Sequence, residues 1–173
     1  CGTVNGAVLG LLERMQDAFH VEAVLVRDPA RRGDPRFTAD ANRAFAGGVD
    51  AVVEAIGGEQ PACSLLSAAL SRGIAVVTAN KTVLSRRGNE LEQIAARSDA
   101  MLLGTAAVGG VVPVLETAAM LRDRVHRVEA VLNGTSAFVL ERLHRGGTLA
   151  EALAAARRRG LCEEFAHPAI LRR

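Results

Sequence analysis

Four short apolar runs, separated by stretches with helical spacing, constrain the fold of this chain more than any other feature. The runs are rich in Val, Leu, Ile and Ala without clean alternation, and they span residues 21–28, 49–58, 73–80 and 100–110. Strands that are covered on both faces have this texture. Helical patterns accompany the runs, at residues 6–19, 61–73 and 86–98. The alternation predicts an α/β fold with a doubly wound parallel sheet and helices on both faces.

The pattern changes after Pro113. Residues 113–123 have helical spacing, and residues 125–147 predict a strand, a turn and a helix. A last helix is predicted from Thr148, as N-cap, to Gly160, as C-terminal stop. We therefore divide the chain into a first domain over residues 1–110 and a partial α+β domain over residues 111–173. Residues 27–40, rich in Pro, Gly and charge, predict a loop.

The bulk composition excludes several classes of protein. The chain has 173 residues, of which 49% are hydrophobic, and a net charge of +2. That charge is too small to indicate nucleic-acid or membrane binding, and there is no Trp or Tyr for base stacking. No apolar run approaches the length of roughly 18 residues that spans a bilayer. Three widely spaced cysteines fit neither a disulfide framework nor a zinc site and indicate a reducing compartment.

The first residues resemble part of a phosphate-binding turn. A dinucleotide-binding fold carries G-x-G-x-x-G between its first strand and a helix, so that the backbone can approach a pyrophosphate. Gly2 corresponds to the middle glycine, whereas Asn5 stands at the third position. The first glycine and the first strand of such a fold would precede Cys1. The pattern predicts a Rossmann-like domain without its first strand, with cofactor contacts from Gly2, Thr3 and Val4. A purely structural helix start is the alternative.

The run at 21–28 ends in Val-Arg-Asp, where a dinucleotide-binding fold selects its cofactor. An acid there binds the ribose hydroxyl of NAD, and a cation there binds the 2′-phosphate of NADP. Arg27, with Arg31 and Arg32 nearby, favours NADP, while Asp28 leaves NAD open. The alternative is a solvated, charged loop.

Two other strand ends carry candidate site residues. The run at 49–58 ends in Ile56, Gly57 and Gly58, a small-residue segment where a flat ring could lie against the backbone. The run at 73–80 is followed by Lys81, the single lysine among 21 Lys and Arg residues. A single lysine in a chain that otherwise uses arginine indicates chemistry that needs a compact ammonium rather than a planar guanidinium. The alternative for Lys81 is a surface lysine at a strand end.

Four segments in register resemble the homoserine dehydrogenase family. They are "VVEAIGGEQPA" (52–62), "VVTANK" (76–81), "AAVGGVVP" (106–113) and "NGTSAFVL" (133–140). The resemblance implies an NAD(P)-dependent oxidoreductase that interconverts aspartate 4-semialdehyde and homoserine. It also implies a place in the biosynthesis of threonine, methionine and isoleucine, a cytoplasmic setting and a homodimer.

The same resemblance implies roles for particular residues. Lys81 would be the catalytic lysine near the nicotinamide and the substrate carbonyl, and Thr78 and Asn80 would contact the cofactor. Gly134 and Thr135 would bind substrate, with N-capping by Thr135 as the alternative. Two further sets are implied, namely Glu163 for substrate and the backbone carbonyls of Val108 and Gly110 for a monovalent cation such as sodium.

The sequence departs from the family pattern at several positions. Thr105 replaces the acid expected before the cation segment, Val111 replaces a glycine, and Leu161 replaces a tyrosine. A second lysine and its aspartate have no counterpart near Pro168. These departures leave an alternative, a catalytically impaired fragment or pseudoenzyme that binds only a nucleotide or a partner subunit. A reductase for a related semialdehyde is a further alternative.

Overall fold

The computed structural model describes residues 2–30, 33–110, 112–121, 123–129 and 133–161. Several residues singled out from the sequence lie outside these ranges, namely Arg31, Arg32, Val111, Glu163 and Pro168. The chain divides into two compact units, Cys1–Ala107 and Val108–Arg173. Each unit is described by itself below.

The first unit alternates helices and strands. Its helices are α1 (Thr3–Leu12), α2 (Ala41–Ala44), α3 (Ala62–Leu70) and α4 (Lys81–Arg97). Its strands are β1 (Val24–Leu25), β2 (Phe37–Thr38), β3 (Ala51–Glu54), β4 (Ala75–Thr78) and β5 (Leu102–Leu103), followed by a 3-10 helix at Thr105–Ala107. The predicted α/β class with parallel strands is confirmed. The strands are shorter than the apolar runs, whose ends lie outside the regular parallel pairing.

All strand pairs in the described residues are parallel, and they form two sheets. One sheet has the order β3-β4-β5, and the other pairs β1 with β2. Strand β2 corrects the prediction of a loop over residues 27–40. It forms because Phe37 and Thr38 pair with Val24 and Leu25, and Thr38 is buried. Two residues between Pro-, Gly- and charge-rich neighbours give too little periodicity to predict a strand.

The core of this unit lies where α3 and α4 pack against β4. Leu66, Leu70, Val76, Val83 and Leu91 are all fully buried there. Burying each such side chain contributes about 1.5–3 kcal/mol relative to leaving it in water. This packing holds β4 and the start of α4 in place, and both carry the candidate site.

Helix boundaries differ from the predicted ones at both ends of the unit. Helix α4 begins at Lys81, five residues before the predicted start, because Asn80 caps it. Helix α1 ends at Leu12 rather than continuing to residue 19. None of its residues is buried, and Val4 remains 54% exposed.

The second unit is helical in its described residues. It contains α5 (Val114–Met120), α6 (Gly134–His144) and α7 (Leu149–Arg158). Helices α6 and α7 pack through a small apolar cluster of Val139, Ala152 and Ala156. The predicted strand before α6 is not present at residues 125–129, and residues 130–132 lie outside the described ranges.

The predicted ends of α7 are confirmed. Thr148 and Glu151 form a reciprocal capping box at its first turn. Hydrogen bonds from the backbone and side chain of Thr148 hold the pKa of Glu151 below its usual range. Gly160 has φ +66°, the left-handed conformation that ends a helix and favours glycine. In the described part of the chain, no helix is long and apolar enough to cross a membrane.

Candidate active site at the carboxyl ends of β3 and β4

The candidate site lies where β3 and β4 end side by side. The last residues of the two strands, Glu54 and Thr78, are partners in the parallel register. Parallel strands place their carboxyl ends at one edge of the sheet, which is where ligands bind in open α/β folds. The segments that follow, 55–58 and 79–81, therefore lie next to each other. They contain the predicted residues Ile56, Gly57, Gly58, Asn80 and Lys81, and Thr78 is the last residue of β4.

A buried carboxylate joins the two strand ends. Glu54 is 3% exposed, and its Oε2 accepts a 2.6 Å hydrogen bond from the Thr78 hydroxyl. Its Oε1 accepts from the Ile56 backbone N–H at 2.5 Å and from Asn80 Nδ2 at 3.3 Å. Burying a charged group is unfavourable unless hydrogen bonds replace its hydration. Three donors converge here, and they explain how the strand end tolerates this side chain.

Asn80 connects this carboxylate to the turn after β3 and to helix α4. Its Nδ2 also donates to the Gly58 carbonyl at 2.8 Å, and its Oδ1 accepts from the Val83 backbone N–H at 3.1 Å. The second contact is an N-cap, which satisfies one of the open N–H groups of the first turn. Asn80 is 3% exposed, so its amide hydrogen-bonds within the protein. Whether Asn80 or the fully buried Thr78 also contacts a cofactor stays a prediction.

Lys81 is the first residue of α4 and is exposed. The positive end of a helix dipole disfavours a cation by about 0.3–1 kcal/mol, and no acid occupies the first turn of α4. The position is therefore unfavourable for a lysine whose only purpose is helix stability. It does place an ammonium group at the edge where a ligand of an open α/β sheet binds.

The turn after β3 presents its backbone to the same edge. Gly57 and Gly58 have φ of +79° and +73°, which side-chain-bearing residues rarely adopt. A Cβ built at either glycine would meet nothing within 4 Å. Gly57 is exposed and Gly58 is half-buried, and this open backbone fits the predicted contact with a flat ring. An ion pair of 2.9 Å between Arg86 and Glu59 also joins α4 to this turn.

Replacing Gly57 with alanine should destabilise the first unit, because alanine in the left-handed region costs about 1–2 kcal/mol. Gly6→Ala is the matched control. Gly6 lies inside α1, and an added Cβ would meet nothing within 4 Å. Gly6→Ala should raise the free energy of unfolding by about 0.5–1 kcal/mol, since alanine is the better helix former. Denaturant unfolding followed by circular dichroism measures both, and equal effects of the two variants would contradict the role of the turn.

The predicted phosphate-binding residues lie at the start of α1. Gly2 is the N-cap, with extended backbone angles of −76° and 178° and no side-chain cap on the first turn. Gly2, Thr3 and Val4 are all exposed. Backbone N–H groups without a side-chain cap suit a pyrophosphate, so these residues fit the predicted cofactor. Arg27 is exposed and lies two residues after β1. These cofactor contacts stay predictions.

The substrate residues predicted in the second unit lie at the start of α6. Asn133, not Thr135, is the N-cap, because its Oδ1 accepts from the backbone N–H of Thr135 at 2.8 Å. The Thr135 hydroxyl donates to the Leu161 carbonyl, and Gly134 is exposed. Substrate binding by Gly134 and Thr135 stays a prediction, and Glu163 lies outside the described residues.

The predicted cation segment follows the 3-10 helix. Val108 is half-buried, Gly110 is exposed, and Gly109 and Gly110 have positive φ. Among the described residues, no group of three or more His, Cys, Asp or Glu could hold a metal ion. The position of Thr105 supplies no carboxylate. A monovalent cation is not supported.

A parallel α/β unit with an open helix start and a polar strand edge has the architecture that dinucleotide-binding domains use. Residues 1–103 match the family model described as the NAD binding domain of homoserine dehydrogenase, and residues 111–168 match the one described as homoserine dehydrogenase. The chain therefore belongs to the homoserine dehydrogenase family. The family predicted from the four sequence motifs is confirmed.

Individual relatives agree with the family models. The homoserine dehydrogenase of Pseudomonas aeruginosa is 32% identical over 94% of this chain and 41% of its own length. That of Mycobacterium tuberculosis is 39% identical over 66% of this chain and 27% of its own length. This chain therefore spans less than half of these relatives.

Solved structures show the same relationship. The homoserine dehydrogenase of Thiobacillus denitrificans matches with a TM-score of 0.76 and 30% identity, over 98% of this chain and 42% of that one. A hyperthermophilic archaeal homoserine dehydrogenase in complex with NADPH matches with a TM-score of 0.55 and 27% identity, over 67% of this chain and 37% of that one.

Sequence reasoning assigned no role to Glu54. The residue stands within the quoted motif "VVEAIGGEQPA", but a strand-end acid is ordinarily solvated. One feature of the sequence could have indicated this role. An acid at the end of an apolar strand needs hydrogen-bond donors if it is buried, and Thr78 and Asn80 supply donors at the equivalent end of the next strand.

Proposed function

We propose that this chain carries the cofactor-binding and lysine part of an NAD(P)-dependent interconversion of aspartate 4-semialdehyde and homoserine. The observation that supports it most is the placement of Lys81 at the start of α4, joined through Asn80 to the glycine turn after β3. An ammonium group and an open backbone surface then share one sheet edge. Membership of the homoserine dehydrogenase family supports the identity of the reaction.

The role of Lys81 follows from the charge that the reaction develops. A bound nicotinamide supplies a hydride when the aldehyde is reduced and takes it up when the alcohol is oxidised. Reduction leaves negative charge on the carbonyl oxygen. The Lys81 ammonium stabilises this charge and donates the proton that completes the alcohol, and in the reverse direction it accepts that proton.

The rest of the chain supports binding in this proposal. Residues 1–110 form the cofactor domain, with Gly2, Thr3 and Val4 at the pyrophosphate and Ile56, Gly57 and Gly58 beside the nicotinamide. Arg27 favours NADP over NAD, in keeping with the archaeal relative that was solved with NADPH. Residues 111–173 contribute Gly134, Thr135 and Glu163 to substrate.

The wider setting is proposed from the family alone. It is cytoplasmic biosynthesis of threonine, methionine and isoleucine by a homodimer, and the proposal includes no nucleic acid, membrane or cation.

Two measurements on residues 1–173 test the proposal. NADPH fluorescence should rise and shift on binding, and NADPH oxidation should be faster with aspartate 4-semialdehyde than without it. A larger effect of NADPH than of NADH would support the role of Arg27. Binding without turnover would contradict the proposed activity of this chain and support a nucleotide-binding protein, and neither binding nor turnover would contradict both.

A further inference from the structure

We propose that Glu54 is a positioning residue that holds Lys81 and the glycine turn in fixed register. Its catalytic consequence rests on the proposed function, whereas its effect on the position of Lys81 does not. Glu54 does not reach the exposed surface at which a ligand binds, since it is 97% buried. It acts through the groups that it binds.

The hydrogen bonds of Glu54 reach both sides of the site. On one side, Oε1 accepts from the Ile56 N–H and so fixes the start of the turn that contains Gly57 and Gly58. On the other side, the carboxylate accepts from Thr78 and Asn80, and the Asn80 N–H donates to the Thr78 hydroxyl at 3.0 Å. The residue after Asn80 is Lys81. One carboxylate therefore sets the relative position of both segments.

The network requires an acceptor at both oxygens of residue 54. Three donors point at the carboxylate, and the Thr78 hydroxyl also accepts from the Asn80 backbone N–H. A glutamine of the same shape would replace one acceptor oxygen with an NH₂ donor. At Oε1 it would face the Ile56 and Asn80 donors, and at Oε2 it would face the Thr78 hydroxyl. In the first orientation both contacts at Oε1 are lost. In the second, the Thr78 hydroxyl can accept from the NH₂ group, but its own hydrogen loses the oxygen to which it donated and the other amide hydrogen is buried without an acceptor. Each orientation therefore weakens the connection on one side of the site.

The unique lysine provides a readout that is independent of activity. Reductive methylation with ¹³C-formaldehyde labels Lys81 and the terminal amine, and Lys81→Ala identifies the signal that belongs to Lys81. The comparison is made on the protein without cofactor. Glu54→Gln is expected to move the ¹³C chemical shift of dimethylated Lys81 most of the way toward that of free dimethyl-lysine. An unchanged Lys81 signal in folded Glu54→Gln protein would overturn the proposal, whether or not the chain is an active dehydrogenase.

Thr78 provides a second test if Glu54→Gln does not fold. Thr78→Val keeps the shape of the side chain and removes the donor to Oε2, whereas Thr78→Ser keeps the hydroxyl. Thr78→Val should change the chemical shift of the Lys81 signal, whereas Thr78→Ser should leave it close to the wild-type value. Equal signals in the two variants would overturn the proposal.

Ser98→Ala is the matched control for lost stability. The Ser98 hydroxyl oxygen lies 2.5 Å from the Leu70 carbonyl and 2.7 Å from the Ile94 carbonyl, at the far end of α4, so its one hydrogen has an acceptor. Ser98→Ala removes a partly buried hydroxyl contact in the same unit, away from the ends of β3 and β4. The control should lower thermal stability and leave the Lys81 signal unchanged. A shift in the control equal to that in Glu54→Gln would show general loosening and overturn the specific role.

A double-mutant cycle tests the catalytic consequence. If Glu54 acts through Lys81, Glu54→Gln should lower kcat by about 10- to 100-fold in the wild-type background, since small misplacement of a reacting group has effects of this size. In the Lys81→Ala background it should change kcat by less than about 2-fold. Independent, multiplicative effects would overturn the coupling. Absence of turnover in the wild-type chain would instead contradict the proposed function and leave the methyl-signal test to decide the role of Glu54.

Discussion

Lys81→Ala is expected to lower kcat/KM for aspartate 4-semialdehyde by about 10²- to 10⁴-fold, while the protein stays folded. The size is that of removing a general acid or an oxyanion donor from an active site. The free energy of unfolding should change by less than about 1 kcal/mol, because Lys81 is exposed, where the interactions of a charged side chain contribute little. Steady-state kinetics and thermal unfolding of the same preparation measure the two effects.

Lys81→Arg separates charge from proton transfer. Arginine keeps the positive charge at this position, but its guanidinium gives up a proton poorly and has a different shape. We therefore expect the arginine variant to recover NADPH binding more fully than turnover. Full recovery of kcat by arginine would contradict a proton-donating role and leave electrostatic stabilisation alone.

Arg97→Ala is a control for removal of one positive charge from the same helix. Arg97 is the last residue of α4, about 24 Å from its start at 1.5 Å per residue. A cation at the C-terminal end of a helix is favourable, so its removal should lower stability by about 0.3–1 kcal/mol and change kcat by less than 2-fold. Equal losses of activity in Lys81→Ala and Arg97→Ala would contradict a specific role for Lys81.

Leu66→Ala is expected to have the largest effect on stability. Leu66 is fully buried in the core between α3, β4 and α4, and the smaller side chain leaves a cavity. Leucine-to-alanine changes at such positions lower the free energy of unfolding by about 2–5 kcal/mol. The midpoint of urea unfolding, followed by far-ultraviolet circular dichroism, measures the loss. Intrinsic protein fluorescence is not suitable for following unfolding, since the chain has no Trp or Tyr.

Leu11→Ala is the matched control for this core variant. The chemical change is the same, but Leu11 is 48% exposed and lies in α1, which buries none of its residues. Its effect should be less than about 1 kcal/mol, because little apolar surface leaves the protein interior. Similar losses in the free energy of unfolding for Leu66→Ala and Leu11→Ala would contradict the assignment of the core to α3, β4 and α4.

Much of the fold could be predicted from periodicity and turn residues. The short aliphatic runs predicted parallel strands, and Thr148 and Gly160 predicted the ends of α7, because these effects act within a few residues of chain. Strand β2 could not be predicted, since its two residues acquire their structure by pairing with β1. The start of α4 was missed because the N-cap role of Asn80 depends on backbone angles that the sequence does not display.

The candidate site divides in the same way. Lys81 stands out in the sequence by residue type alone, as the single lysine just after an aliphatic run, and the four motifs place the chain in its family. Glu54, Thr78 and Asn80 are separated by up to 26 residues, and only pairing of β3 with β4 brings their side chains together. The sequence by itself thus determined the class of fold, the family and the identity of the lysine, because those depend on residue type and spacing. Only the tertiary structure decided which buried groups are hydrogen-bonded next to that lysine, because hydrogen bonds between distant segments depend on strand register and burial.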